Sequence, residues 1–438
     1  MRQGALPDRA ERPAPPPRPR SLRHPLFTPA ANLAIRAAGL GMRFGLVLYL
    51  ARYLGLDALG RFGLVQGAAS VAPVALGWGV TYFLGREIVG LPPARAGRLL
   101  RDRLLVTLAS LAAAGAACAA LAGAGGLPVP VEAVGLVAAI ILLEALAFDA
   151  HIALIGLGRP LAANALLFLR SGAWVLPAAG LGLLVPDLRS LDVVLACWAV
   201  ALVVNLAALV LILRRWPLGA IARMPVDLGW IARRLRGGWL IYLNDLALLG
   251  MAYLDRYILN HRAGAETTGV FVLHWSIANA LHVLVSAAIV QVSLPNLVLA
   301  WREGGAEAWR RVLRGMTVRV LAAALGLAFA IQAAALLALP MLLGGAAPVD
   351  GALLGLMLAA MVIRLVADAL GYGLYSRGRD RTLALINLAG TLASAALGLV
   401  LIGAFGLGGA APAMLATATL LLVLRAGALA RARPDAAP

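Results

Sequence analysis

The chain has 438 residues, 62% of them hydrophobic and 13% charged, with a mean hydropathy of +0.89. A soluble domain is nearer half apolar and a quarter charged, so this composition excludes an ordinary soluble enzyme and defines an all-α integral membrane protein. The net charge of +18 comes from 38 basic residues, all arginine; in a bilayer protein it acts on topology, and no nucleic-acid partner is expected.

In chain order, residues 1–31 are rich in Pro and Arg and are expected to form a disordered basic tail, with no signal peptide ahead of the first span. Twelve stretches then have the length that a bilayer-spanning helix needs: 32–53, 63–83, 104–124, 132–155, 161–185, 191–213, 239–258, 269–298, 320–343, 352–375, 383–405 and 410–424. Polar, Pro or Gly breaks separate them, among them Leu91-Pro92-Pro93, Pro186-Asp187 and Gly344-Gly345. Cys118 and Cys197 both lie inside apolar spans and are expected to be small core residues.

The links alternate in charge. One set of alternate links, taken with both tails, holds 29 arginines; the opposite set holds three, Arg61, Arg189 and Arg262. Arginine-rich loops stay cytoplasmic, so both termini are expected on the inner side of a bacterial inner membrane. Trp216, Trp230, Trp239, Trp301 and Trp309 flank the basic links, as interfacial aromatics do. The longest basic link divides the chain into a lobe over 32–213, a cytoplasmic linker over 214–238, a lobe over 239–424 and a cytoplasmic tail over 425–438.

The two halves echo one another. Tyr49-Leu-Ala-Arg-Tyr53 is answered by Tyr253-Leu-Asp-Arg-Tyr257. Gly60-Arg-Phe-Gly-Leu64 is answered by Gly269-Val-Phe-Val-Leu273, and Ile155-Gly-Leu-Gly-Arg159 by Tyr375-Ser-Arg-Gly-Arg379. Ordered self-similarity at about half the chain length marks an internally duplicated transporter. Six spans that begin and end on one side must be followed by six in the same orientation, so the halves are expected to be related by an axis along the membrane normal.

Ionisable groups within spans are costly and so point to function. Arg36 and Arg43 are two helical turns apart and share one face of the first span, which suits a water-filled cavity that receives an anion; snorkelling and pairing are the alternatives. Arg43 and Asp245 fall at similar depth in corresponding spans, so they are expected to meet across the lobe interface in at least one state. Asp245 is then a gate or coupling residue, or one end of a static bridge. Arg52 and Arg256 lie near span ends within the repeat and serve either gating and cargo binding or headgroup snorkelling, and Asp255 beside Arg256 is a gating or coupling candidate. Glu144 with Arg170, and Arg364 with Asp368, are candidate buried pairs. His151, His274 and His282 lack metal-ligand spacing and are expected to be hydrogen-bonded helix residues. No motif implies a metal or cofactor, a nucleotide site or an enzyme.

The first two spans, the Asp255-Arg256 pair, Thr268-Gly-Val-Phe271, Pro295 and Gly378-Arg379 together give the chain a pattern that resembles a known family. It is similar to the polysaccharide (O-antigen and exopolysaccharide) flippases of the multidrug/oligosaccharidyl-lipid/polysaccharide exporter superfamily, over about residues 32–424. The resemblance implies two six-helix lobes around a central cavity that alternates between the membrane faces. It implies a polyprenyl-diphosphate-linked oligosaccharide as cargo, with Arg36, Arg43 and Arg256 as diphosphate contacts, and with the bilayer, glycosyltransferases and a polysaccharide polymerase as partners. Cation-coupled multidrug export with Asp245 as the ion site, and a non-transporting scaffold for glycan-synthesis enzymes, are the alternatives.

Overall fold

The structure, a computed structural model, describes residues 27–123, 131–345 and 349–431; side chains are described from residue 38 onward, apart from 118, 119 and 121–134. Among these residues there is no strand. Helices α1 (Phe27–Tyr49), α2 (Leu56–Ala75), α3 (Val80–Glu87), α4 (Pro93–Gly123), α5 (Val131–Gly156), α6 (Pro160–Phe168), α7 (Val175–Leu184) and α8 (Leu191–Leu213) build the first half. Helices α9 (Leu218–Arg223), α10 (Leu228–Val285), α11 (Gln291–Leu343), α12 (Gly351–Ser376), α13 (Asp380–Phe405) and α14 (Leu407–Arg431) follow. Short π-helical turns, Leu50–Leu54, Leu169–Ala173 and Ser286–Val290, interrupt three of the spans.

Each expected span falls mainly on helix among the described residues. Helices α2 and α3 bend by 65° at the break between them, and α6 and α7 form one span through the π-turn. The continuous stretch Leu228–Leu343 holds three spans, because it breaks at Gly264 (φ 82°) and Gly305 (φ 68°). Both are left-handed backbone positions that glycine reaches without a Cβ clash, so the chain changes direction there without a loop. Side-chain caps start the helices where polar residues precede apolar runs: Ser190 accepts from the Val193 amide, Asp227 from Trp230, and Asp350 from Ala352 and Leu353. The result is about twelve spans in two six-span lobes around a central cavity.

Several links are more ordered than their composition suggests. The stretch 214–238 contains α9 and the first turns of α10, and 299–319 is helical apart from the break at Gly305. Helix α14 runs past the expected end at 424 to Arg431. The basic tail lies mostly outside the described residues, and α1 begins at Phe27 rather than 32. The tryptophans depart from the interfacial expectation: Trp230, Trp301 and Trp309 are buried in the protein, and only Trp239 is well exposed. Trp301 and Trp309 meet edge to face at 5.7 Å with Arg377 over both rings, so a cation–π stack, not the headgroup region, holds them.

The sequence echoes fall at equivalent structural places. Gly158 (φ 71°) and Gly378 (φ 68°) close the same turn, in which Arg159 donates to Leu154 O at 2.8 Å and Arg379 to Leu374 O at 3.1 Å. Helix α2 and the second arm of α10 cross at the repeated Gly-x-Phe motif. Gly60 lies against the carbonyl of Ala265, Gly269 lies against the carbonyl of Leu56, and Gly63 lies against Val272. Leu56, Gly60 and Gly63 correspond to Ala265, Gly269 and Val272 at one constant offset, so each half presents the same surface to the other. A Cβ on either outer glycine would strike backbone. Phe62 and Phe271 are both fully buried beside the crossing.

Candidate functional site

The crossing of α2 and α10 lies at the arginine-poor end of the molecule, where Arg52 also donates from Nη1 to Leu342 O at 2.7 Å and ties the end of the first span to the end of α11. Toward the arginine-rich end, α1 and α6 of the first half face α10 of the second across a cavity of about 490 Å³. Gly39, Leu40 and Arg43 from α1, Leu167 and Phe168 from α6, and Asn279 and Val283 from α10 line it. Gln66, Tyr253 and Trp275 stand at its closed end.

Arg43 is the charged residue of that lining among the described residues. Its Nε donates to Ser171 O at 2.7 Å, a carbonyl presented by the π-turn Leu169–Ala173. Such single-turn π-bulges redirect backbone groups at functional sites. The neighbouring Glu144 makes its hydrogen bonds elsewhere: one oxygen takes the Arg170 guanidinium and the other accepts from Trp198 Nε1 at 3.1 Å. Trp174 stacks on Trp198 at 5.3 Å and Phe62 packs against both, which fixes that pair in an aromatic wall behind Arg43. Arg43 lines the cavity and forms no ion pair among the described residues. Arg36 is on the same helix nearer the arginine-rich end, and its side chain lies outside the described residues.

Arg256 is placed differently. It is fully buried, donates from Nη1 to Gly63 O at 3.1 Å and to Gln66 Oε1 at 3.2 Å, and lies over the rings of Trp275 (4.3 Å) and Tyr253 (4.8 Å). Its Nε and Nη2 have no hydrogen-bond partner. It sits behind the closed end of the cavity and clamps α10 onto α2. The adjacent Asp255 is buried with an unpartnered Oδ1, and lines a separate cavity of about 110 Å³ together with His282 and Arg364.

Asp245 accepts from its neighbour Asn244 at 3.2 Å, and no ion pair joins it to Arg43 in this state. Arg364 and Asp368 do pair, at 3.7 Å, as part of a larger cluster. Arg425 donates to Asp368 Oδ1 at 2.6 Å and His282 contacts Oδ2 at 2.8 Å. Arg425 also donates to Asn387, which donates to Asn244 at 2.8 Å. A polar chain thus joins Asp245 to His282 through α13, α14 and α12. Two members of such networks went unrecognised in the sequence because they fell in nominal links. Arg425 is one; Arg103, paired with Asp149 at 3.1 Å and bonded to Thr81 and Thr107, is the other. Both are buried. The apolar residues on either side of Arg425, Leu420-Leu-Leu-Val-Leu424 and Ala426-Gly-Ala-Leu429, carried the signal.

No family model matches the chain, and no curated protein matches it. Solved structures do. An inward-facing multidrug resistance MATE family transporter of the MOP superfamily aligns with TM-score 0.68 and 15% identity, over 92% of this chain and 98% of that one. An outward-facing multidrug resistance MATE family transporter aligns with TM-score 0.55 and 14% identity, over 90% and 92%. A MOP superfamily transporter from Pyrococcus furiosus, described as having a binding pocket of reverse polarity that suggests a different function, aligns with TM-score 0.55 and 16% identity, over 91% and 93%. The chain thus has the fold of these multi-pass membrane transporters.

Proposed function

We propose that the protein is an alternating-access transporter of the same superfamily, and that its cargo is an anionic lipid-linked oligosaccharide, a polyprenyl diphosphate carrying a glycan, moved outward across a bacterial inner membrane with both termini cytoplasmic. The observation that carries the cargo class is the sign of the cavity. Its described charged lining is the Arg43 guanidinium, while the nearest carboxylate is occupied by Arg170 and Trp198. A cationic drug entering here would meet uncompensated positive charge in a low dielectric; a diphosphate would meet the planar donors that match its oxygens. Arg36 precedes Arg43 by two helical turns in the sequence, and Arg256, whose Nε and Nη2 have no hydrogen-bond partner among the described residues, becomes a contact once the crossing of α2 and α10 opens. The reversed pocket polarity ascribed to the Pyrococcus furiosus relative supports a divergence in cargo within one fold.

Cation-coupled export is favoured by one observation of its own, the unpartnered Asp255 oxygen on the second cavity. That group fits a coupling site better than Asp245, whose carboxylate accepts from Asn244.

The test is complementation of a flippase-deficient strain, with membrane levels checked. Arg43→Ala loses one charge-assisted contact of about 1.5–3 kcal/mol, so cargo binding is expected to weaken roughly 10- to 150-fold, with partial rescue by Arg43→Lys. Full surface glycan in a strain carrying membrane-inserted Arg36→Ala/Arg43→Ala overturns the anionic-cargo reading. Reporter fusions at Asp187 and Arg379 test orientation; a cytoplasmic signal at Asp187 would reverse it.

A further inference from the structure

The second half carries a basic cavity that the transport reading does not use. Where α11 bends at Gly305, its two arms border an open groove of about 780 Å³ at the arginine-rich face. One arm contributes Arg311, Arg314 and Arg319, and the other contributes Ser293 and Asn296. Arg319 donates from Nε to Gly315 O of its own helix at 3.2 Å, which leaves its Nη groups free to turn outward. Arg311 and Arg314 enter no ion pair among the described residues, although Glu307 lies one turn before Arg311. Three guanidiniums on one wall repel one another, and no carboxylate among the described residues forms an ion pair with Arg311 or Arg314.

The shape of the wall indicates what does. At a rise of 1.5 Å per residue, Arg319 stands about 12 Å deeper along the helix than Arg311. The basic wall therefore runs from the surface inward instead of lying flat on it. One face of the same arm carries apolar residues that the protein leaves uncovered: Val318 is 58% exposed, Leu325 55% and Phe329 79%, while Val320 and Ala324 on the other face are buried. Cationic donors at the mouth with an exposed apolar strip leading inward match an amphiphile with an anionic head. A soluble anion would leave the strip uncovered, and a merely solvated charge run would not line a concave wall with Ser293 buried at its base. Basic pockets between spans on the cytoplasmic side bind anionic lipid headgroups.

We propose that this cavity is a binding site for the phosphate headgroup of an anionic bilayer phospholipid, held by Arg311, Arg314 and Arg319 with an acyl chain along Val318, Leu325 and Phe329. It lies apart from the cavity of α1, α6 and α10, and it does not depend on the nature of the cargo.

The experiment is native mass spectrometry of the full chain released from nanodiscs of phosphatidylglycerol and phosphatidylcholine in equal parts. The expected result is selective retention of phosphatidylglycerol. Arg311→Ala/Arg314→Ala/Arg319→Ala should reduce that retention on the order of 100-fold, and the corresponding triple Lys variant should keep most of it. Arg233→Ala/Arg236→Ala, which removes exposed charge elsewhere on the same face, should leave it unchanged. Equal retention of phosphatidylcholine overturns the proposal, as does undiminished retention by the triple Ala variant. Selective retention of added undecaprenyl diphosphate, with no phosphatidylglycerol held, overturns it in favour of cargo docking. Displacement by millimolar inorganic phosphate overturns it in favour of a soluble anion.

Discussion

The two halves bury carboxylates in different ways. In the first half, Glu144 serves one guanidinium and one indole, and a second guanidinium, Arg43, is left to face the cavity. In the second half, Asp368 gathers Arg364, Arg425 and His282, and the surplus of donors is turned inward to Asn387 and Asn244. A duplicated fold thus keeps its framework while a guanidinium faces the cavity beside Glu144 and the cluster at Asp368 ties its own helices together. The difference teaches that an intramembrane charge is read by what its partner does not satisfy. Arg43 and Arg364 look alike in the sequence, and only the spare bonding capacity beside them separates a candidate site from a brace.

The sharpest way to break this comparison is to remove each carboxylate. Asp368→Ala strands two guanidiniums and an imidazole in the second half and is expected to cost about 3–5 kcal/mol, seen as a large fall in thermal stability in detergent and in membrane level. Glu144→Ala strands one guanidinium and should cost less; an equal loss would erase the distinction between the halves. Next in size, Gly60→Val and Gly269→Val should each cost about 1–3 kcal/mol through overpacking at the crossing. Because the two positions are equivalent, their effects should agree, whereas their cavity neighbours differ. A large loss at one and none at the other would show that the symmetric contact is incidental. Arg43→Ala should cost stability only the about 0.5–1.5 kcal/mol of its bond to Ser171 while abolishing most transport. The smallest effect is expected from Arg52→Ala, an exposed tie to Leu342, at under about 1 kcal/mol in the same thermal assay.

Much of the architecture was legible in the chain because a bilayer demands long apolar runs, and no other fold class can accommodate twelve of them. The echoes around Gly60 and Gly269 were legible for a physical reason as well: a backbone-to-backbone crossing admits glycine and little else. The candidate pairs Glu144–Arg170 and Arg364–Asp368 were recoverable from depth and helical spacing. What stayed hidden were partners brought in from other helices. Nothing in the neighbourhood of Asp368 announces His282 from α10 or Arg425 from α14. Arg103 and Arg425 were counted as loop charges because charge alone was taken to mark the surface, although both have apolar residues alongside. The burial of Trp230, Trp301 and Trp309 was hidden likewise, since their partners Glu87, Arg377 and Ser376 come from distant segments. The placement of Arg256 behind the cavity, rather than on its wall, depends on the aromatic rings of Tyr253 and Trp275 closing over it.

The crossing at Gly60 and Gly269 has an evolutionary consequence. A contact in which residue i meets residue j and the equivalent of j meets the equivalent of i is isologous, the form a twofold homodimer takes. A chain of half this length, bearing Leu56-x-x-x-Gly60-x-x-Gly63 or its counterpart, would offer to a second copy of itself both sides of the interface. Joined in one chain, the two sets of contacts become a single seam, so a change at Gly60 or at Gly269 acts on both halves at once.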